Sequence, residues 1–415
     1  MGDPRSTNRT LSLKRLNRAL LERQLLLKRS TISPLEAIER LAGIQAQAPM
    51  PPYYALWSRL ENFQPEALAQ LLSNRQAVRI ALMRSTIHLV SARDARFFRR
   101  TLAPMLERSI ISFNGKKLNG VDLNQLAAAT VKLASEKPVT FEELGKLLQR
   151  EWPEHTPAVL SSSARNLVPL AQIPPRGLWG QGGAARHVPL EHWLGNGPHH
   201  SEADSASDVR REYSYHGADG TSNVHRNDPD SGVDDPGALE TNQDAAIKSM
   251  LFRYLSAFGP ASIKDMQAWS GMTRLKPYIQ EWISELECFQ DEAGNDLYDL
   301  PGAPLPPEDT PAPPRYLSEF DNMLISYNDR SRIMPAAYKP KIITINGLVR
   351  STFLTDGFVS GIYSIEVDKE TATLRLQPFE PISSADLELL REEGARLLEF
   401  VAPYKQHCFV VDEIQ

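Results

Sequence analysis

Gln45 and Gln47 stand in the run Leu41-Ala42-Gly43-Ile44-Gln45-Ala46-Gln47-Ala48-Pro49, and their spacing limits what they can do together. On a helix, side chains at i and i+2 point about 200° apart, whereas on an extended segment they share a face. Ala48 precedes Pro49, and Pro51 and Pro52 follow, so the chain is biased away from helix where the pair sits. Two carboxamides on one face can hold a water and turn their carbonyl oxygens toward a developing cation. The same amides could instead satisfy backbone groups left open at a helix C-terminus. The local pattern alone leaves both roles open.

The surroundings of the pair are rich in arginine. Arg75, Arg79, Arg84, Arg93, Arg96, Arg99 and Arg100 fall within 26 residues, and guanidinium forks match phosphate oxygens. Residues 1–197 carry 27 Lys and Arg against 15 Asp and Glu, a balance of +12, while residues 198–245 carry −8 and residues 246–415 carry −9. A basic half joined to an acidic half points to nucleic-acid contact by the basic part. A solvated charged surface is the plain alternative.

Other chemistries find little support. Cys288 and Cys408 belong to no CxxC pair, and the nine histidines show no HExxH or Cys/His spacing. Neither a metal site nor a disulfide framework is expected, and no cofactor. Such cysteine usage fits a reducing, intracellular compartment. No stretch approaches the ~18 apolar residues that span a bilayer, and the N-terminal run lacks the apolar segment of a signal peptide. Gly2 follows Met1, but Thr7 sits one place beyond the hydroxyl of a myristoylation motif. No membrane partner is expected.

Helix-turn-helix grammar positions these residues three times. Near the start, LSLKRLNRALLERQLLL has helical apolar spacing, and a second helix opens at Ser33-Pro34 with Glu36 at its third position. The run Ser85-Thr86-Ile87-His88-Leu89-Val90 then reads as a wing strand. Thr140 caps FEELGKLLQ with Glu143 as its capping-box partner, followed by a helix from about Thr156 to Asn166 and a short strand in LVPLAQ. In the third occurrence AAIKSMLFRYLSAF stops at Gly259-Pro260 and Ser262 starts IKDMQAWS, ended by Gly271. Thr273 then opens a longer helix over RLKPYIQEWISELE, and CFQDEAGNDLYDLP forms a hairpin. Beyond a Pro-rich linker, alternating apolar residues with turns at Asp356-Gly357 and Lys369-Glu370 predict strands, and a final helix covers Ser384 to Val401. Residues 198–245 contain no Ile, Phe, Met or Trp, so they cannot bury enough apolar surface to order themselves and read as a disordered acidic insertion.

The fold class is therefore α+β, with tandem winged-helix modules and a C-terminal β-rich region. The expected divisions are 1–125 for the first module, 126–197 for the second, 198–245 for the insertion, 246–300 for the third module, and 301–415 for the linker and C-terminal region. The runs LAGIQAQAPMPPYYALWSRL, MRSTIHLVSARD, LVPLAQIPPRGLWG, LSAFGPASIKDMQAWSGMTRL, YLSEFDNMLISYNDRSRI and DGFVSGIYSIE occur in that order. Together they resemble the AlkZ/YcaQ-like winged-helix DNA glycosylases along nearly the whole chain apart from the insertion.

That resemblance implies a monofunctional glycosylase that excises alkylated purines from double-stranded DNA, N7-alkylguanine and interstrand crosslinks among them. It places Gln45 and Gln47 at the positions of the family's Gln-hydrophobic-Gln motif, as catalytic residues, and Thr86 and His88 in its Thr-x-His strand. Arg75, Arg79, Arg84, Thr86, His88 and Arg330 are the expected DNA-binding residues, with a structural role open for His88. Asp321, Asp329 and Arg330 are further site candidates, or members of an internal ion pair. Where the family strand reads Arg-Gly-Thr, this chain has Arg84-Ser85-Thr86, a mild change unless that backbone requires positive φ. A neutral glutamine is a weak base, but a cationic N7-alkylguanine leaves readily as a neutral purine, and no lysine in the motif offers lyase chemistry. A non-catalytic winged-helix DNA-binding protein and a winged-helix protein-interaction module are the alternatives, and tandem modules make a monomer sufficient.

Overall fold

Proline and short polar residues punctuate the first third of the chain, and the computed structural model, which describes residues 9–195 and 236–414, follows that punctuation. Helix α1 (Leu13–Arg23) starts at Ser12 and α2 (Pro34–Arg40) at Ser33, whose hydroxyl accepts from Glu36 N at 3.2 Å. Gly43, at φ +86°, reverses the chain into β2 (Ile44–Gln45). It has to be glycine: a Cβ there would lie 2.7 Å from Val90 Cγ1. Helices α3 (Pro51–Trp57) and α4 (Pro65–Ser73) each begin on a proline, which suits the first helical turn. Strands β3 (Ala77–Ala81) and β4 (Ile87–Ser91) then form a hairpin.

Helices α5 (Ala92–Thr101) and α6 (Ala103–Asn114) lead to α7 (Leu123–Glu136), α8 (Phe141–Leu148) and α9 (Pro157–Leu167). The last three close on their own apolar core around Leu126, Leu144 and Leu160. The expected capping box at the start of α8 is present, Thr140 and Glu143 each satisfying the other's backbone N–H. Strands β5 (Leu170–Gln172) and β6 (His187–Pro189) return to the hairpin, and a short α10 (Leu190–Leu194) follows. The resulting sheet has the order β2-β4-β3-β5-β6, antiparallel throughout. His88 is central in it, paired with Gln45 on one side and Ile80 on the other.

The second half opens with α11 (Pro236–Phe258). The acidic segment was expected to run to residue 245; its last ten residues are instead the start of this helix, and the remainder lies outside the described residues. Lack of large apolar residues argues against burial, not against helix, and Pro236 with the Ala, Leu, Glu and Gln that follow favours helix. Ser262 and Asp265 box the start of α12 (Ile263–Ser270), and Gly271 ends it at φ +79°. The helix expected from Thr273 is shorter: α13 spans Lys276–Glu281, because Pro277 is tolerated only in a first turn. Strands β7 (Glu287–Asp291) and β8 (Asp296–Asp299) make the expected hairpin, with β1 (Arg9–Leu11) parallel to β7.

The first helix is assigned differently from the sequence reading. Rather than joining α2, α1 lies across the second half: Gln24 Nε2 donates to Ala257 O at 2.8 Å, and Arg23 forms a bidentate pair with Asp299 at 2.7 Å. Its buried face carries Asn17, Arg18, Arg23 and Gln24, polar groups whose partners lie hundreds of residues away.

A second five-stranded sheet, β13-β12-β11-β10-β9, completes the chain. Its strands are β9 (Arg315–Leu317), β10 (Thr352–Thr355), β11 (Phe358–Val367), β12 (Thr371–Pro378) and β13 (Gln406–Val411). Asp356 and Gly357, both at positive φ, turn β10 into β11. The short α14 (Asn322–Ile325) and α15 (Lys339–Ile342) lie between β9 and β10. β12 and β13 are parallel and so need a crossover, supplied by α16 (Ser384–Val401). Apolar side chains of both halves share one core, in which Leu20 and Leu82 meet Tyr254, Phe258 and Leu324.

Candidate active site

Strand β2 is extended through Gln45 and ends there, and Gln47 lies in the bend that follows, so the extended segment expected to carry both glutamines carries only the first. The strand is held from both sides. Ala46 N donates to Ile87 O at 2.8 Å, and from the other half of the chain Asn322 Nδ2 donates to Gly43 O at 2.7 Å. Asn322 Oδ1 lies 3.5 Å from Gln45 N. Asn322 is itself fixed by Asp321, which caps α14 and forms a buried bidentate pair with Arg59 at 2.8 and 2.9 Å. The internal ion pair considered for Asp321 is thus present, with Arg59 as partner. Asp329 accepts from Ser331 N and Oγ on the surface.

The two glutamines differ. Gln45 is buried and its Oε1 accepts from Arg84 Nη2 at 2.8 Å. Gln47 is exposed, and its Oε1 accepts a longer bond of 3.3 Å from Ile87 N. One carboxamide is clamped and the other presented. Each carbonyl retains a second lone pair.

Arg84 and Ser85 both adopt positive φ, +55° and +59°, so the backbone condition attached to Ser85 holds. Its hydroxyl donates to Asn166 Oδ1 at 2.6 Å, a local bond that favours a short polar residue there. Gly271 lets α12 reach this turn, since a Cβ on it would stand 3.2 Å from Arg84 backbone atoms. Thr86 Oγ1 is half-buried and donates to Met83 O at 3.0 Å.

Two residues expected at a DNA surface are interior. Arg79 is 2% exposed, donating to Gln172 Oε1 and Ala46 O, each at 2.9 Å. It buttresses the Gln-Ala-Gln segment from behind, and burial pushes its guanidinium down to about 10. His88 is also 2% exposed, with Nδ1 2.9 Å from Thr86 O. Burial, then the Arg84 charge, drives its imidazole down to about 3, so it is neutral at pH 7. Central strand positions covered on both faces leave no room for a phosphate. The remaining basic residues divide. Arg75 is exposed at φ +61° and lies over the Trp193 ring at 4.6 Å. Arg330 is half-buried, donating to Leu324 O at 2.6 Å, and its charge reaches Arg84. Arg93 and Arg96 pair with Glu39 and Glu191.

Sequence reasoning passed over Arg165, Asn322 and Gln172, whose functional signal is spatial. Arg165 donates to Ser85 O, and its burial lowers its pKa. Among the described residues, Arg79, Arg84 and Arg165 have no carboxylate partner, so the strand-and-turn that carries the glutamines sits in an uncompensated positive field. No group of metal-ligating side chains and no helix long and apolar enough to cross a membrane occurs among the described residues.

The chain is a mixed α+β fold in which largely buried arginines without carboxylate partners surround the segment that carries the two glutamines. The family described as DNA glycosylase AlkZ-like matches residues 38–400, most of the chain, and the protein belongs to that family. No curated protein matches. Among solved structures, Streptomyces sahachiroi DNA glycosylase AlkZ has a TM-score of 0.70 at 17% identity, over 97% of this chain and 100% of that one, which shows a common fold. Family membership carries a DNA glycosylase role in DNA repair, with DNA as the partner.

Proposed function

We propose that the protein hydrolyses the N-glycosidic bond of N7-alkylpurines in duplex DNA as a monofunctional, metal-independent glycosylase. The observation that carries this reading is the clamped Gln45 next to the exposed Gln47. Arg84 and Asn322 fix the strand, so Gln47 can orient a water and set its carbonyl dipole against the sugar cation without reorganising. As the C1′–N9 bond breaks, its electrons neutralise the alkylated purine, water adds to C1′, and the water proton passes to solvent. An N7-linked crosslink presents the same cationic purine. No lysine stands in the motif, so no Schiff-base step and no strand cleavage follow.

The positive field of Arg84 and Arg165 would by itself oppose a developing sugar cation. Phosphates of bound DNA neutralise it, so the site becomes competent only when loaded. Arg75 and Arg330 supply the accessible cations; Arg79, His88 and Thr86 position the strand and hairpin. The orders α2-β2-α3-α4-β3-β4, α7-α8-α9-β5-β6 and α11-α12-α13-β7-β8 support three winged-helix modules, expected over 1–125, 126–197 and 246–300, with α7 and α11 beginning earlier, at Leu123 and Pro236. Such a monomer is sufficient in an intracellular compartment.

One observation favours a second reading, a non-catalytic DNA-binding relative: both glutamine carbonyls already accept internal bonds. Release of free base separates the two. Gln47→Ala is expected to lower single-turnover excision of N7-methylguanine roughly 10²–10³-fold with an unchanged melting temperature. A stable Gln45→Ala/Gln47→Ala protein that still excises at the wild-type rate would sink the catalytic reading.

A further inference from the structure

A cavity of about 470 Å³ lies between α3 and the C-terminal sheet, walled by Pro51, Tyr54, Glu319, Arg350, Tyr363 and Gln377 among others. Its size falls in the roughly 300–1,000 Å³ range of small-molecule sites. Most of its wall is the C-terminal sheet, and one side comes from the segments that follow Gln47 and precede Asn322. Pro51 and Tyr54 stand in the first turn of α3, four and seven residues after Gln47, and Glu319 stands three residues before Asn322, which anchors the strand of Gln45.

The lining chemistry has one unusual member. Glu319 is exposed, and among the described residues its carboxylate has no ion-pair or hydrogen-bond partner, whereas buried Glu393 nearby in the fold is held by Arg29 at 2.6 Å. Its charge is felt by two tyrosines, raising Tyr54 and Tyr363 beyond the effect of their burial. Two tyrosines and an unpaired carboxylate in one cavity wall make an environment for a cation. Arg350 on the rim, exposed and without a side-chain partner among the described residues, suits a flanking phosphate.

We infer that this cavity receives the purine turned out of the duplex and that Glu319 selects bases carrying positive charge. The inference rests on the glycosylase reading for its biological use, but the selection is a binding property. Glu319 is a specificity residue. It stabilises the cationic base before the bond breaks, and part of that contact is lost as the charge moves to the sugar.

The test compares two uncleaved duplexes, one with a 2′-fluoro-stabilised N7-methylguanine and the same duplex with guanine. Wild-type protein should prefer the cationic duplex, and Glu319→Gln should narrow the affinity ratio about tenfold while Glu319→Asp keeps most of it. On a cleavable N7-methylguanine duplex, the half-saturating protein concentration for Glu319→Gln should rise about tenfold and the plateau rate should rise about twofold. A carboxylate that merely stabilised the fold would weaken both duplexes equally. A folded Glu319→Gln protein that keeps the wild-type ratio overturns the inference, even if excision proceeds. A wild type that shows the Glu319-dependent preference yet releases no base upholds the pocket and overturns the glycosylase reading instead.

Discussion

Around the sheet β9–β13, buried cations meet carboxylates: Arg59 pairs with Asp321, and Arg29 and Arg315 share Glu393. In the sheet β2–β6 and its turn, Arg79, Arg84 and Arg165 meet only carbonyls, among them Ala46 O, Trp269 O, Ser85 O and the amide of Gln45. A buried charge costs several kcal/mol unless it is well paired, so the first region is arranged for stability and the second tolerates a deficit. The deficit surrounds the residues proposed to meet DNA, whose phosphates would complete it. The contrast separates a scaffold from a site within one continuous core.

The contrast is broken most directly at the scaffold. Asp321→Ala leaves Arg59 buried without a partner and frees the α14 N-terminus, so it should lower unfolding free energy by about 3–5 kcal/mol in urea melts. A loss below 1 kcal/mol would mean that the pairing does not distinguish the regions.

The next effect concerns pH. His88 and His187 are held neutral by burial at about 3 and about 4, against about 6.5 in an unfolded chain. Below pH 6.5 the unfolded chain therefore binds more protons than the folded one. The stability these residues contribute is complete above 6.5 and declines as pH falls toward 4, by about 1.4 kcal/mol per pH unit for each. Urea midpoints at pH 7, 5.5 and 4.5 should fall accordingly, and His88→Asn should reduce the slope. A flat profile would remove the neutral-histidine account of the β2–β6 sheet.

At Arg165 the effect should appear on binding, not on folding. Its Nε is buried without a partner, so Arg165→Met should keep stability within about 1 kcal/mol. The magnitude of the log–log salt slope of duplex binding should drop by about one. A destabilised protein with an unchanged salt slope would place Arg165 in the scaffold. The smallest effect is expected at Ser85→Gly. Relief of the left-handed backbone, about 1 kcal/mol, is offset by loss of the bond to Asn166, also about 1 kcal/mol, so the melting temperature should move by only a few degrees.

Features that depend on neighbours in sequence were legible without a structure. Ser33 with Glu36, Thr140 with Glu143, and Ser262 with Gly271 mark helix ends because their bonds close within a few residues. Asp356-Gly357 dictates a hairpin, whereas the bend that takes Gln47 out of the strand was not legible. The motif order along the chain marked the family. Tertiary structure decided the rest. Whether Arg79 and His88 face solvent depends on what covers the two faces of their sheet, and whether α1 belongs to the first half depends on Asp299 and Ala257. The Arg59–Asp321 pair spans 262 residues of sequence, and Asn322 reaches back 279 to hold Gly43. Charge counts see an arginine-rich segment, but burial and the nearest carboxylate decide which arginines are spent inside the fold and which remain for DNA, and both are properties of the folded chain.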